Sequence, residues 1–141
     1  VSPIISTIMT DHSHYLRQAN LRATPARIAV LEILSAIDTP VDVAFIVDKI
    51  NLSFDQATVY RTVDTLVKEG LIKQVDFREG KYRYELEGDH HHHLVCQKCG
   101  SITPIYEQCV AITDSTIATK YNFTVTDHHL EFFGHCHKCN A

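Results

Sequence analysis

No apolar run in the chain approaches the length of a membrane span, and the first residues lack the pattern of a signal peptide. The first absence excludes a helical membrane protein, and the second gives the expectation of a cytoplasmic one. Nor is there an excess of basic charge. Lys and Arg number 13 against 17 Asp and Glu, for a formal net charge of -4. That excludes a non-specific polybasic binder, although a sequence-specific DNA-binding protein depends on local charge rather than on the total. No internal repeat is present, and no low-complexity segment beyond one histidine run. The 141 residues are 45% hydrophobic, enough for a core. Split into two halves, each would be small enough to need a metal or a partner.

Cysteine and histidine are what the chain does have. Four of its five cysteines form two Cys-x-x-Cys pairs, Cys96/Cys99 and Cys136/Cys139, with Cys109 alone between them. Ten histidines include the run His90 to His93 and the pair His128/His129. In a cytosolic chain such pairs point to metal rather than to disulfides.

The order of elements predicts two domains. A short helix over 12–19 precedes Thr24-Pro25, a cap followed by proline at the first helical position. Ile28, Leu31, Ile33 and Leu34 give that second helix its apolar face. A third helix follows Asp42, and a fourth, capped by Ser53 or Asp55, carries Val59, Val63, Leu66 and Val67 and ends at Gly70. Leu71 to Phe77 and Lys81 to Leu86 then read as a strand hairpin. This is the winged helix-turn-helix order, so residues 1–86 are expected to form a DNA-binding domain and 87–89 a hinge. Over 90–141 we expect a small α/β domain, giving an α+β protein overall. Its predicted elements are a strand at His93 to Val95, a helix over 104–120 with Cys109 in its core stripe, and strands at Tyr121 to Val125 and Leu130 to Phe133.

In that frame the last helix before the hairpin enters the major groove, presenting Gln56, Thr58, Tyr60, Arg61 and Thr65. Arg61 can pair with guanine or reach phosphate, and Tyr60 can touch a thymine methyl or a phosphate. Arg22 and Arg27 flank a helix start and suit phosphate or the minor groove. The competing reading makes Arg61 an ordinary surface residue and Tyr60 a core residue.

The two cysteine pairs, separated by 36 intervening residues, fit a tetrahedral structural zinc site of Cys96, Cys99, Cys136 and Cys139. In an extended strand His91 and His93 share one face and His90 and His92 the other. Glu85, just before the hinge, can join His91 and His93 as a regulatory set, because imidazole with carboxylate suits iron(II), manganese(II) or zinc(II). His90 and His92 can be joined by His128 and by a carboxylate such as Glu107, placed on the predicted helix.

Four strings carry a resemblance: Leu21-Arg-Ala-Thr-Pro-Ala-Arg, Ala57-Thr-Val-Tyr-Arg-Thr-Val, His90-His-His-His-Leu-Val-Cys-Gln-Lys-Cys-Gly and Gly134-His-Cys-His-Lys-Cys. In order and spacing the chain resembles the ferric-uptake-regulator family over residues 12 to 139. The resemblance implies a homodimer with an N-terminal winged helix and a C-terminal dimerisation domain, repressing metal-uptake or stress genes from palindromic operators when metal is bound. It places Arg22, Tyr60 and Arg61 at DNA and the four cysteines on structural zinc. Glu85, His91 and His93 fall on the sensing site, and His90, His92 and His128 on an additional one. Three ligand positions of iron-type members fall here at Pro40, Pro104 and near Ala111, so the family pattern is incomplete. The expectation is a non-enzymatic, metal-responsive repressor, iron-type favoured, with zinc, manganese and peroxide types as rivals. A metal-trafficking protein whose winged helix binds protein is the rival of another class.

Overall fold

The computed structural model describes residues 11–50, 53–88, 90–107, 114–126 and 128–140. The chain divides into two compact units, Val1–Asp89 and His90–Ala141.

Among its described residues the first unit holds four helices and a hairpin: α1 (His12–Gln18), α2 (Pro25–Ser35), α3 (Val43–Ile50), α4 (Gln56–Lys68), β1 (Ile72–Asp76) and β2 (Tyr82–Leu86). Short polar side chains set the helix starts. Asp11 accepts from the His14 N–H, Thr24 from Arg27, Asp42 from Phe45 and Asp55 from Thr58, at 2.7 to 3.3 Å. Each satisfies a backbone donor that a helix leaves unpaired. Asp55, not Ser53, is therefore the cap of α4. That helix stops at Gly70, whose φ of +76° is cheap only for a residue without a Cβ.

Four apolar faces close on one core. Leu16, Val30, Leu31, Ile46, Val59, Val63 and Leu66 are almost wholly buried in it. Fully burying a leucine of this kind contributes about 1.5–3 kcal/mol. The hairpin is antiparallel, with Ile72 opposite Leu86 and Asp76 opposite Tyr82. A two-way backbone bridge between Val41 and Tyr84 ties it to the segment before α3. Arg83 adds a paired contact to Glu79 (2.8 and 2.9 Å) and donates to the Pro40 carbonyl (3.2 Å).

The second unit holds β3 (His92–Cys96), β4 (Ile102–Ile105), α5 (Asp114–Tyr121) and β5 (Glu131–Gly134). Its sheet runs β4-β3-β5, with β4 antiparallel and β5 parallel to β3. Two expectations fail here. Pro104 does not start a helix but lies in β4, opposite His93. That is a permitted place for proline, because β4 is an edge strand and can spare an N–H. Tyr121 to Val125 is not a strand: α5 runs through Tyr121 and ends at Asn122, with φ +51°. Cys109 and Ala111 lie outside the described residues, as does Asp89 of the expected hinge.

Candidate metal centres and nucleic-acid interface

The cysteine cluster is assembled by two backbone turns at one end of the sheet. After Cys96 the chain folds back so that the Cys99 N–H points at the Cys96 sulfur (3.5 Å), and Gly100, at φ +78°, returns its N–H to the Cys96 carbonyl (2.9 Å). The second turn repeats the device, with the Cys139 and Asn140 N–H groups on the Cys136 carbonyl. The Cys136 N–H reaches across to the Cys96 sulfur at 3.3 Å, and Gln97 donates to the Gly134 carbonyl at 2.8 Å. All four sulfurs lie within 4.8 Å of one another, and those of Cys99 and Cys136 are 3.7 Å apart. A tetrahedral ion with Zn–S near 2.3 Å needs sulfur edges of about 3.8 Å, and the four thiols are gathered closely enough to supply such an ion's donor set.

The electrostatics agree. N–H groups of Cys99 and Cys136 hold the Cys96 thiol down to about 5, so one thiolate is already favoured. Hydrogen bonding to Cys136, then burial, pushes Cys139 up to about 12. The thiol cluster accepts one negative charge and resists the last, which is what a cation at its centre would relieve.

Along the histidine run that leads into β3 the rings separate by face as their alternation requires. The His91 and His93 rings lie 4.8 Å apart, nearly perpendicular, with Tyr106 5.4 Å from His91. On the other face the His90 ring lies 4.7 Å from His92 and 5.4 Å from His128. His92 Nδ1 stands 3.0 Å from the Leu130 carbonyl, and burial, with His90 nearby, lowers its pKa below the usual imidazole value. His91 and His93 bring two imidazole nitrogens within 4.8 Å of one another, close enough to share an ion. Glu107 follows the end of β4 rather than sitting on a helix, which corrects its expected placement. Glu85 lies on β2 opposite Lys73 and is buried.

In the first unit, α4 leaves Gln56, Tyr60 and Arg61 exposed, with Thr58 and Thr65 half-buried. Tyr60 retains 44% of its surface and is not a core residue. A cleft of about 320 Å³ joins the start of α2 to this helix, lined by Thr24, Arg27, Thr58, Arg61 and Thr65 among others. The Arg27 guanidinium donates to the Arg22 carbonyl (3.0 Å), which holds Arg27 against the turn before α2. Arg61 lies within hydrogen-bonding reach of Thr58 Oγ1 at 3.4 Å.

Sequence reasoning passed over Glu131. It stands 2.9 Å from His93 Nδ1. A carboxylate inside the otherwise apolar string Leu130-Glu-Phe-Phe was the available signal, but only pairing with the histidine strand reveals its partner.

A winged-helix unit with arginines around its recognition helix, joined to a unit rich in metal-capable thiols and imidazoles, defines a metal-binding, DNA-binding transcription regulator. The ferric uptake regulator family matches residues 18–133, and the chain belongs to that family. It is 32% identical over 134 residues to the ferric uptake regulation protein of Bacillus subtilis (strain 168), covering 89% of this chain and 90% of that one. It is 34% identical over 134 residues to that of Legionella pneumophila, covering 92% and 98%. Among solved structures it resembles the Vibrio cholerae ferric uptake regulator, with TM-score 0.67, 30% identity, and 89% and 100% coverage. A zinc-bound manganese uptake regulator also matches, with TM-score 0.64, 27% identity, and 88% and 97% coverage. The family consists of metal-dependent, dimeric transcriptional repressors and not of enzymes. Among the described residues, no helix is long and apolar enough to cross a membrane.

Proposed function

We propose that this protein represses metal-uptake or metal-homeostasis genes by binding palindromic operator DNA as a homodimer, and that iron(II) is the co-repressor. The observation that carries this reading is the coexistence, in one short chain, of an exposed α4 surface and two kinds of metal-capable cluster. Relatives at 30% identity or more that are ferric uptake regulation proteins support iron. Zinc(II) and manganese(II) are the rivals, the second supported by the resemblance to a manganese uptake regulator.

In this reading residues 1–86 bind DNA, 87–89 form a hinge and 90–141 carry dimerisation and metal. Cys96, Cys99, Cys136 and Cys139 hold a structural zinc. Arg22, Arg27, Thr58, Tyr60 and Arg61 meet the operator, arginines to phosphate and guanine, Tyr60 to methyl or phosphate. Glu85 supplies a carboxylate and His91 and His93 supply imidazoles to the regulatory ion. His90, His92 and His128, with Glu107 as an added carboxylate, form an additional site. A regulatory ion drawing ligands from both units favours one arrangement of them and shifts the population toward it.

The test is operator binding by the purified dimer, titrated with anaerobic iron(II), manganese(II) and zinc(II) in parallel, for wild type and His91→Ala. Tightening by iron(II) in wild type and its loss in His91→Ala is the expected result. Tightening by zinc(II) alone would make it a zinc-uptake regulator with Glu85 as an oxygen ligand. Binding indifferent to every metal would overturn the switch.

A further inference from the structure

Parallel pairing of β3 with β5 places His93 directly beside Glu131. A single oxygen of that carboxylate, Oε2, then meets His93 twice. It accepts from the backbone N–H at 3.0 Å and stands 2.9 Å from ring Nδ1. His93 is 0% exposed and the Glu131 side chain 11%, so water competes little for either contact. An ionised carboxylate accepts hydrogen bonds and cannot donate them. In the neutral imidazole the ring proton then sits on Nδ1, which leaves the lone pair on Nε2. Two anchors on one oxygen also fix the ring's direction, because the backbone contact prevents the carboxylate from following a rotated ring. The neighbouring His92 differs. Its Nδ1 faces the Leu130 carbonyl, a neutral acceptor, at 3.0 Å. At His93 a carboxylate stands behind Nδ1 where His92 has a neutral carbonyl, and a charge-assisted bond of this kind is the stronger one and makes the opposite nitrogen a better donor to an ion.

Resting on the reading of His93 as a regulatory ligand, we propose that Glu131 is the positioning residue of that site. It sets His93 as the Nδ1–H tautomer, aims Nε2 at the ion and raises the affinity with which the ion is held. Glu131 itself does not coordinate.

Long-range proton–nitrogen NMR of the purified protein assigns the His93 tautomer without added metal. Titration with Co(II) against a competing chelator, followed by visible absorption, measures the affinity, with His93→Ala marking what other sites contribute. The wild type should show Nδ1–H. Glu131→Ala should shift the tautomer toward Nε2–H and weaken Co(II) roughly 10- to 100-fold, the usual effect of removing such a partner. Glu131→Gln keeps an acceptor oxygen but no charge, so it should retain Nδ1–H and fall between the two. An Nε2–H signature in wild type, or an unchanged tautomer in Glu131→Ala, overturns the proposal. Should the alanine variant fail to fold, wild-type affinity in Glu131→Gln overturns it instead. Unchanged Co(II) affinity in His93→Ala sinks the regulatory reading itself, which the metal-independent tautomer measurement keeps distinct from the role of Glu131.

Discussion

The two units solve the same problem of stability by different chemistry. Among the described residues, every buried hydrophobic side chain except Val95 and Cys96 belongs to the first unit, where four helices and a hairpin share one core. In the second unit, β3 buries His92 and His93 beside Val95, while Leu94 and Phe132, neighbours across two strands, keep 42% and 45% of their surfaces exposed. Apolar burial holds the one; cysteine turns and imidazole contacts take up much of the other. A small unit that spends its sequence on ligands has less left for packing, and structural metal is the usual replacement.

The sharpest break in this comparison is removal of the cysteine-bound metal. Cys136→Ser, or a strong chelator, should unfold the second unit and leave the first folded, because zinc binding of this type contributes folding free energy on the order of 10 kcal/mol. Backbone NMR resolves the two sets of signals, and simultaneous loss of both would show that the units are not independent. Next in size is Leu66→Ala in α4. Its fully buried side chain leaves a cavity costing about 2–5 kcal/mol, with the first unit's denaturation midpoint lowered and metal content unchanged.

Arg61→Ala addresses function rather than stability. We expect operator affinity to fall by about 1–3 kcal/mol while the melting temperature stays put, since Arg61 is exposed. Unaltered DNA binding would favour a protein-binding winged helix. The smallest effect is at Asp42, which caps α3 and pairs with Lys81 at 2.6 Å. Asp42→Ala should cost about 0.5–2 kcal/mol, mostly through the cap, since an exposed pair adds little.

The same residue gives a pH dependence. The Lys81 hydrogen bond, then the Phe45 N–H, holds Asp42 below its usual value, and Arg83 does likewise for Glu79. A carboxylate depressed by folding adds stability above its unfolded pKa near 4, and this is lost as pH falls through the folded value. Urea midpoints of the first unit between pH 7 and 3 should decline in the acid range, less steeply in Asp42→Ala.

Legibility in the sequence followed the range of the interactions. The helix starts at Thr24, Asp42 and Asp55 were visible because a cap acts over three residues. The hairpin was visible as two alternating runs around a short turn, and the cysteine pairs as two local knuckles. Pro104 misled because proline followed by spaced apolar residues is a good local signal for a helix. What made it a strand was β3, which needed an antiparallel neighbour and could use an edge strand missing one donor. Tyr60 could not be divided between core and surface without knowing which face of α4 the other helices cover.

By itself the sequence determined the element types of the first unit, the alternation that separates His90 and His92 from His91 and His93, and the four thiols that belong together. All of these follow from local backbone geometry and ligand chemistry. Tertiary structure decided which strands are neighbours. The parallel pairing of β3 with β5 brings Glu131 to His93 across 38 residues of chain. No periodicity encodes that contact, because a hydrogen bond between strands depends on register, and register is fixed only when the sheet assembles.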